Sequence, residues 1–120
     1  MKIEVLVVDN CPSYPLALDL LYRVLREEGL SVPIDVLRMS SHEDAVRTRF
    51  LGSPTIQING EDVEGGARAR QDFGLKCRLY TVDGRLVGVP DERMFRESIR
   101  AAKLQRSVSE TGQRCKRIGR

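Results

Sequence analysis

The sequence predicts an α/β domain, a mixed β-sheet flanked by helices with a β-hairpin inserted before the last helix. Three observations carry that expectation. Residues 2–9 are apolar and rich in β-branched side chains on both parities, as suits a central strand covered on both faces. A helical stripe follows and leads into a second alternating run. This strand–helix–strand crossover implies a parallel, right-handed pair. Asn59-Gly60, the strongest hairpin signal in the chain, then adds antiparallel strands. The expected order is β-α-β-α-β-β, an inserted hairpin, and α, occupying residues 1–103.

The elements follow in turn. Asn10-Cys11-Pro12-Ser13 breaks the first strand, Ser13 stands where a helix cap belongs, and Pro15 falls in the first turn. Leu16, Ala17, Leu20, Leu21, Val24 and Leu25 form one apolar stripe, and Gly29 ends the helix. Val32, Ile34 and Val36 alternate as a second strand. Ser41-His42-Glu43-Asp44 resembles a capping box with Asp in place of Glu. It opens a short helix bearing Ala45, Val46, Arg49 and Phe50 and stopped near Gly52. Residues 55–58 form the third strand and 62–64 its antiparallel return, ended by Gly65-Gly66. Residues 77–82 and 85–89 pair as a hairpin about Asp83-Gly84. Asp91 caps a last helix whose stripe is Met94, Phe95, Ile99 and Ala102.

Composition bounds the function. With 41% hydrophobic and 31% charged residues, the chain reads as globular, and no apolar run approaches the ~20 residues of a membrane span. The N-terminus alternates and carries Glu4, which suits a first strand rather than a signal peptide. The expected location is the cytoplasm, with no membrane partner. The net charge of +3 is unevenly placed: residues 103–120 hold six basic residues and one acid (+5), leaving 1–102 at −2. Residues 104–120 read as a basic, solvated tail without aromatics, which makes nucleic-acid binding an unfavoured reading. Three cysteines, Cys11, Cys77 and Cys115, are too few and too odd in number for a disulfide framework, but leave room for a reactive thiol. One histidine and two usable cysteines fall short of the four ligands of a structural zinc site, so no metal or cofactor is expected.

Two motifs then point further. Cys11-Pro12-Ser13-Tyr14 stands at the junction of the first strand and helix. Gly52-Ser53-Pro54-Thr55 precedes the third strand, with Ile56-Gln57-Ile58-Asn59-Gly60-Glu61-Asp62-Val63 after it. Together, in this order, they resemble the thioredoxin and glutaredoxin superfamily over residues 2–66 and 91–103. The resemblance implies a three-layer thioredoxin-like fold, a nucleophilic Cys11 and a cis bond at Pro54 beside it. Phe50-Leu51-Gly52-Ser53-Pro54-Thr55 with Cys77-Arg78-Leu79-Tyr80 also resembles a bacterial branch sometimes labelled alkylmercury lyase. In the true organomercurial lyases, two cysteines and an aspartate cleave a carbon–mercury bond.

The chemistry agrees with the placement. A thiol reacts as its thiolate, and a helix N-terminus favours negative charge. A cis Ser53–Pro54 bond leaves the Ser53 backbone open to whatever docks beside Cys11. The fourth motif position is Tyr14 rather than a resolving cysteine, so the ordinary dithiol cycle cannot run within the motif. Glutathione as resolving thiol, Cys77 as a distant second thiol, or loss of redox function are the routes left open. Three functions follow: a thiol–disulfide oxidoreductase acting on glutathione or protein thiols, an organomercurial lyase-like or mercury-binding protein, and a non-catalytic thioredoxin-fold binding module.

The candidate catalytic residues are Cys11, Cys77 and Asp9, and the candidate substrate-binding residues are Tyr14, Ser53, Pro54 and Thr55. Each has a plainer reading. Cys77 opens an apolar strand and reads equally as core packing. If the inserted hairpin folds back, Cys77 approaches Cys11, and a disulfide needs Cα atoms within about 7 Å. Asp9 reads as a strand-end surface acid or a proton carrier. Tyr14 packs, or places its hydroxyl near Cys11. Arg68 and Arg70 read as a solvated charge pair or as holders of a glutathione carboxylate. His42 reads as a surface residue and Cys115 as an incidental thiol.

Overall fold

The computed structural model describes residues 1–104. Its main sheet has four strands in the order β2-β1-β3-β4. These are β1 (Ile3–Val7), β2 (Ile34–Arg38), β3 (Thr55–Ile58) and β4 (Glu61–Asp62). β1 runs parallel to β2 and antiparallel to β3, and β4 returns antiparallel to β3. The mixed sheet expected from the sequence is therefore present, with β1 central. The helices are α1 (Tyr14–Glu27), α2 (His42–Thr48) and α3, over 92–104. A separate hairpin, β5 (Tyr80–Val82) and β6 (Arg85–Val87), precedes α3.

Alternation along β1 assigns the layers. Ile3, Val5 and Val7 join Ala17, Leu21, Val24 and Leu25 of α1 and Phe95, Ile99 and Ala102 of α3 in one buried cluster. Leu6 faces the other way, into a smaller cluster with Met39, Ala45 and Phe50 beside α2. The sheet is thus covered on both faces. Among the described residues, no helix is long and apolar enough to cross a membrane.

Local signals act as their chemistry dictates. Asn59 and Gly60 both take positive φ (53° and 82°), the geometry of a two-residue turn whose twist suits a hairpin. At the end of α1, Gly29 adopts φ 72°, its N–H donates to the Arg26 carbonyl (3.0 Å), and the Leu30 N–H donates to the Leu25 carbonyl (2.9 Å). This pairing satisfies carbonyls the helix leaves free. Ser41 Oγ accepts from the Asp44 N–H (3.1 Å), which is half of the expected capping box. The Asp44 carboxylate turns instead to Ser40 and Arg47.

Several boundaries differ from expectation. β1 stops at Val7, because the chain turns through Asn10 in the left-handed region (φ 59°). β2 begins at Ile34 and is an edge strand, so Val36 is exposed. Leu16 lies off the buried stripe of α1 and is 63% exposed. α2 ends at Thr48, with left-handed Arg49 as its cap (φ 59°), before Gly52 is reached. Its Val46 points to solvent. β4 covers only residues 61–62, and a 3-10 turn, Gly65–Ala67, follows. Leu104 is still helical, one residue past the expected domain limit, and the remainder of the basic tail, with Cys115, lies outside the described residues.

An ionic seam joins α1 to α3. The Glu28 carboxylate accepts from Arg100 Nε (2.9 Å) and Nη2 (3.1 Å) and from Arg96 Nη1 (3.3 Å). Lys103 Nζ donates to the Glu28 carbonyl (2.7 Å). The Arg100 hydrogen bonds lead in lowering the Glu28 carboxyl from 4.5 to about 2. A depressed carboxyl stabilises the fold fully above its unfolded value and loses that contribution as pH falls towards its folded value. We therefore expect urea unfolding of wild type and Glu28→Gln to differ most above pH 4.5, with the gap closing between there and pH 2. A gap that is flat across that window contradicts the seam.

Candidate functional site

Cys11 follows the left-handed turn at Asn10 and stands two residues before Ser13, the N-cap of α1. Its carbonyl accepts from the Tyr14 N–H (3.3 Å), and its thiol is free and half-buried. Ser13 holds the N-cap position, yet its side chain makes no capping hydrogen bond. The hydroxyl instead faces Gly88, where an added Cβ would stand 2.6 Å from Ser13 Oγ. A side chain at position 88 would force the Ser13 hydroxyl to turn away, so glycine keeps the end of the inserted segment close to the motif. Tyr14 packs partly against the main core cluster. Asp9 is exposed and ion-paired with the equally exposed Arg38 (3.2 Å), the arrangement of a strand-end surface acid.

The Ser53–Pro54 bond is cis, as the resemblance implies. Ser53 Oγ accepts from the Val8 N–H (3.1 Å), fastening this loop to the end of β1 close before Cys11 in the chain. The Ser53 backbone is not open to an incoming partner. Its N–H donates to the Lys76 carbonyl (2.8 Å), and its carbonyl accepts from the Arg78 N–H (3.1 Å). The chain's own segment 76–78 takes both groups, and Ser53 is buried. Thr55 is likewise buried, its hydroxyl donating to the Gly52 carbonyl (2.6 Å).

Cys77 is the residue paired with Ser53, in an isolated parallel bridge. It is exposed and free, not a core residue opening a strand. The regular strand begins only at Tyr80, and alternation explains why: Arg78 and Tyr80 take the inward positions, leaving Cys77 and Leu79 outside. The inserted segment therefore meets the motif region twice, at Ser53 through Cys77 and at Ser13 through Gly88.

What holds the segment there is a buried arginine. The side chain of Arg78 is fully enclosed and forks onto Asp62, with Nη1 to Oδ2 at 2.5 Å and Nη2 to Oδ1 at 2.8 Å. It also reaches Glu64 (3.3 Å) and Thr55 Oγ1 (3.2 Å) and stacks over the Tyr80 ring at 4.1 Å. Tyr80 donates its hydroxyl to the Pro54 carbonyl (2.5 Å). Burial is the strongest influence and opposes the guanidinium charge, but the Asp62 hydrogen bonds together with the electrostatics of Tyr80, Asp62 and Glu64 outweigh it and hold Arg78 above its ordinary range. Burial also pushes the Tyr80 phenol well above its usual value, so it stays protonated and able to donate. Gly52 completes the fit: its φ of 126° excludes ordinary side chains, and an added Cβ would lie 2.9 Å from Arg78 Cβ.

Sequence reasoning missed Arg78, Asp62, Glu64 and Tyr80. A signal existed: Asp62 and Glu64 stand at alternate positions in the expected return strand 62–64, as Arg78 and Tyr80 do in the expected strand 77–82. Arg68 and Arg70 do not face Cys11. They line a cleft with Arg49 and Phe73 that neither residues 11–14 nor residues 52–55 border. His42 is an exposed residue at the start of α2. No protein-family model matches the chain, and neither a curated protein nor a solved structure does.

Removing Arg78 while leaving Asp62 strands a buried charge. Arg78→Met is expected to lower stability by about 3–5 kcal/mol in denaturant titration. Pairing it with Asp62→Leu is expected to recover most of that loss. A single variant as stable as wild type contradicts the assignment.

Proposed function

We propose that the protein is a thioredoxin-like thiol–disulfide oxidoreductase whose working thiols are Cys11 and Cys77. The observation that carries this reading is the pairing of Cys77 with Ser53, which seats an exposed second thiol on the loop fastened beside the Cys11 strand. The sheet order, the cis Ser53–Pro54 bond and the start of α1 just after Cys11 support the thioredoxin-like part of the proposal. Tyr14 stands where that family often has its second cysteine, and Cys77 supplies the thiol from the insertion instead. Asp9, ion-paired with Arg38 at the surface, lends no support to organomercury protonolysis.

The chemistry balances with a disulfide as oxidant. The Cys11 thiolate attacks one sulfur of glutathione disulfide, forming a Cys11–glutathione mixed disulfide and releasing one glutathione thiolate. The Cys77 thiolate then attacks Cys11 Sγ, forming the Cys11–Cys77 bond and releasing the second. An external dithiol returns the pair to its reduced form. Exposed Leu75 and Leu79 flank Cys77, and Leu16 and Leu86 are also exposed on the elements that carry the motif and the hairpin. These apolar side chains suit a protein disulfide as a larger substrate.

In a Cys115→Ser background, we expect the reduced chain to release two equivalents of glutathione per equivalent of protein. Cys77→Ser is expected to release one and halt as the mixed disulfide, and Cys11→Ser to lose the fast release. Thiol quantification with intact mass measurement reads all three. Fast release that persists in Cys11→Ser sinks the proposal.

A further inference from the structure

The cleft shared by Arg49, Arg68, Arg70 and Phe73 lies over β3 and β4, has a volume of about 230 Å3, and is also lined by Gln57 and Glu61. It extends to the Asn59-Gly60 turn, where Asn59 meets Lys2 at the start of β1, whereas Cys11 follows the other end of that strand. We infer that this cleft is a binding site for a small anion bearing a phosphoryl group, separate from the thiol chemistry.

Three guanidinium groups line one small cavity, and their carboxylate pairing is incomplete. Arg49 has no carboxylate partner among the described residues. Its Nη2 donates to the Arg68 carbonyl (3.1 Å), and its guanidinium lies over the Phe73 ring at 5.0 Å. Arg68 spends Nε on the Asp62 carbonyl (3.1 Å), and its nearest carboxylate is the exposed Glu61 at 3.5 Å. Arg70 uses Nε and Nη2 on Asp72, which leaves Nη1. Each arginine therefore keeps N–H groups that no described residue takes up.

The two lining carboxylates do not answer that charge equally. Asp62 is buried and committed to Arg78 and the Glu64 N–H. Glu61 is more than half exposed and can swing aside. Arg49 is preorganised by its left-handed backbone, by Phe73 and by the Arg68 carbonyl, so little freedom is lost on binding. Arginine forks match phosphate and carboxylate oxygens alike. The N–H groups that three arginines leave untaken around one cavity suit the three terminal oxygens of a phosphoryl group better than the two of a carboxylate. The volume lies below the ~300–1,000 Å3 of drug-sized sites, which favours a small ligand.

Calorimetric titration of the full chain at constant ionic strength tests this, with inorganic phosphate, glycerol 3-phosphate and succinate as probes. Tighter binding of inorganic phosphate indicates a free-phosphate site, and tighter binding of glycerol 3-phosphate a phosphate-ester site. Arg49→Asn keeps a residue that tolerates the left-handed backbone. It is expected to weaken phosphate binding roughly tenfold or more, while Glu61→Gln tightens it. Cys11→Ser is expected to leave binding unchanged. Three results overturn the inference: no heat with either phosphate probe, equal affinity in a folded Arg49→Asn chain, or succinate binding as tightly as phosphate. Loss of binding in Cys11→Ser overturns the separateness of the two sites.

Discussion

Arg78 brings a permanent positive charge into an interior where an unpaired ion is among the most expensive things a fold can hold. The surroundings answer it from three sides: a bidentate Asp62, a nearby Glu64 and the face of Tyr80. Such a pair adds little net stability over an apolar filling of the same volume, but it tolerates only one arrangement. That arrangement sets the register of residues 76–80 against the Pro54 loop. Through the Arg78 N–H and the Lys76 carbonyl it places Cys77 opposite Ser53, and through the Tyr80 hydroxyl it grips the Pro54 carbonyl. The positive φ and missing side chain of Gly52 are conditions of the same contact.

This constraint reverses the meaning of the Ser53 loop. A docking edge was expected there, with free backbone groups beside Cys11. The protein fills that edge with its own chain and leaves a thiol on the filling segment. A chain that pairs with itself at this point has less need of an extended partner strand for that purpose. The side chains it leaves outward, Leu75, Cys77 and Leu79, are exposed, and on the proposed function they are the surface a partner meets. At the other end of the molecule, Glu28 plays a comparable role between helices, gathering Arg96, Arg100 and Lys103 where α1 stops.

Much of the frame was legible because local chemistry and global packing agree. The parity of β1, the Gly29 stop, the Ser41 cap and the Asn59-Gly60 turn each depend on neighbours close in sequence, and each formed where expected. Val36 and Leu16 were misread because apolar character does not say whether a strand lies at an edge or where a stripe ends. The cis bond at Pro54 and the place of Cys11 between β1 and α1 were legible through their motifs. The Arg78 cluster was not, since an arginine in a short polar-flanked run reads as solvated, and only the fold brings Asp62 across sixteen residues to meet it. The Arg49 cleft was hidden for the same reason: Arg68 and Arg70 read as a local pair, but Arg49 and Phe73 join them only in space.

The central claim is that the buried arginine seats Cys77 as the chemical partner of Cys11. The most direct measurement is peptide mapping of the folded Cys115→Ser chain after mild oxidation with glutathione disulfide. The account predicts a Cys11–Cys77 crosslinked peptide in wild type that is depleted in Arg78→Met, where the seat is lost. Recovery of both cysteines as free thiols or separate glutathione adducts, in a chain that remains folded, contradicts it.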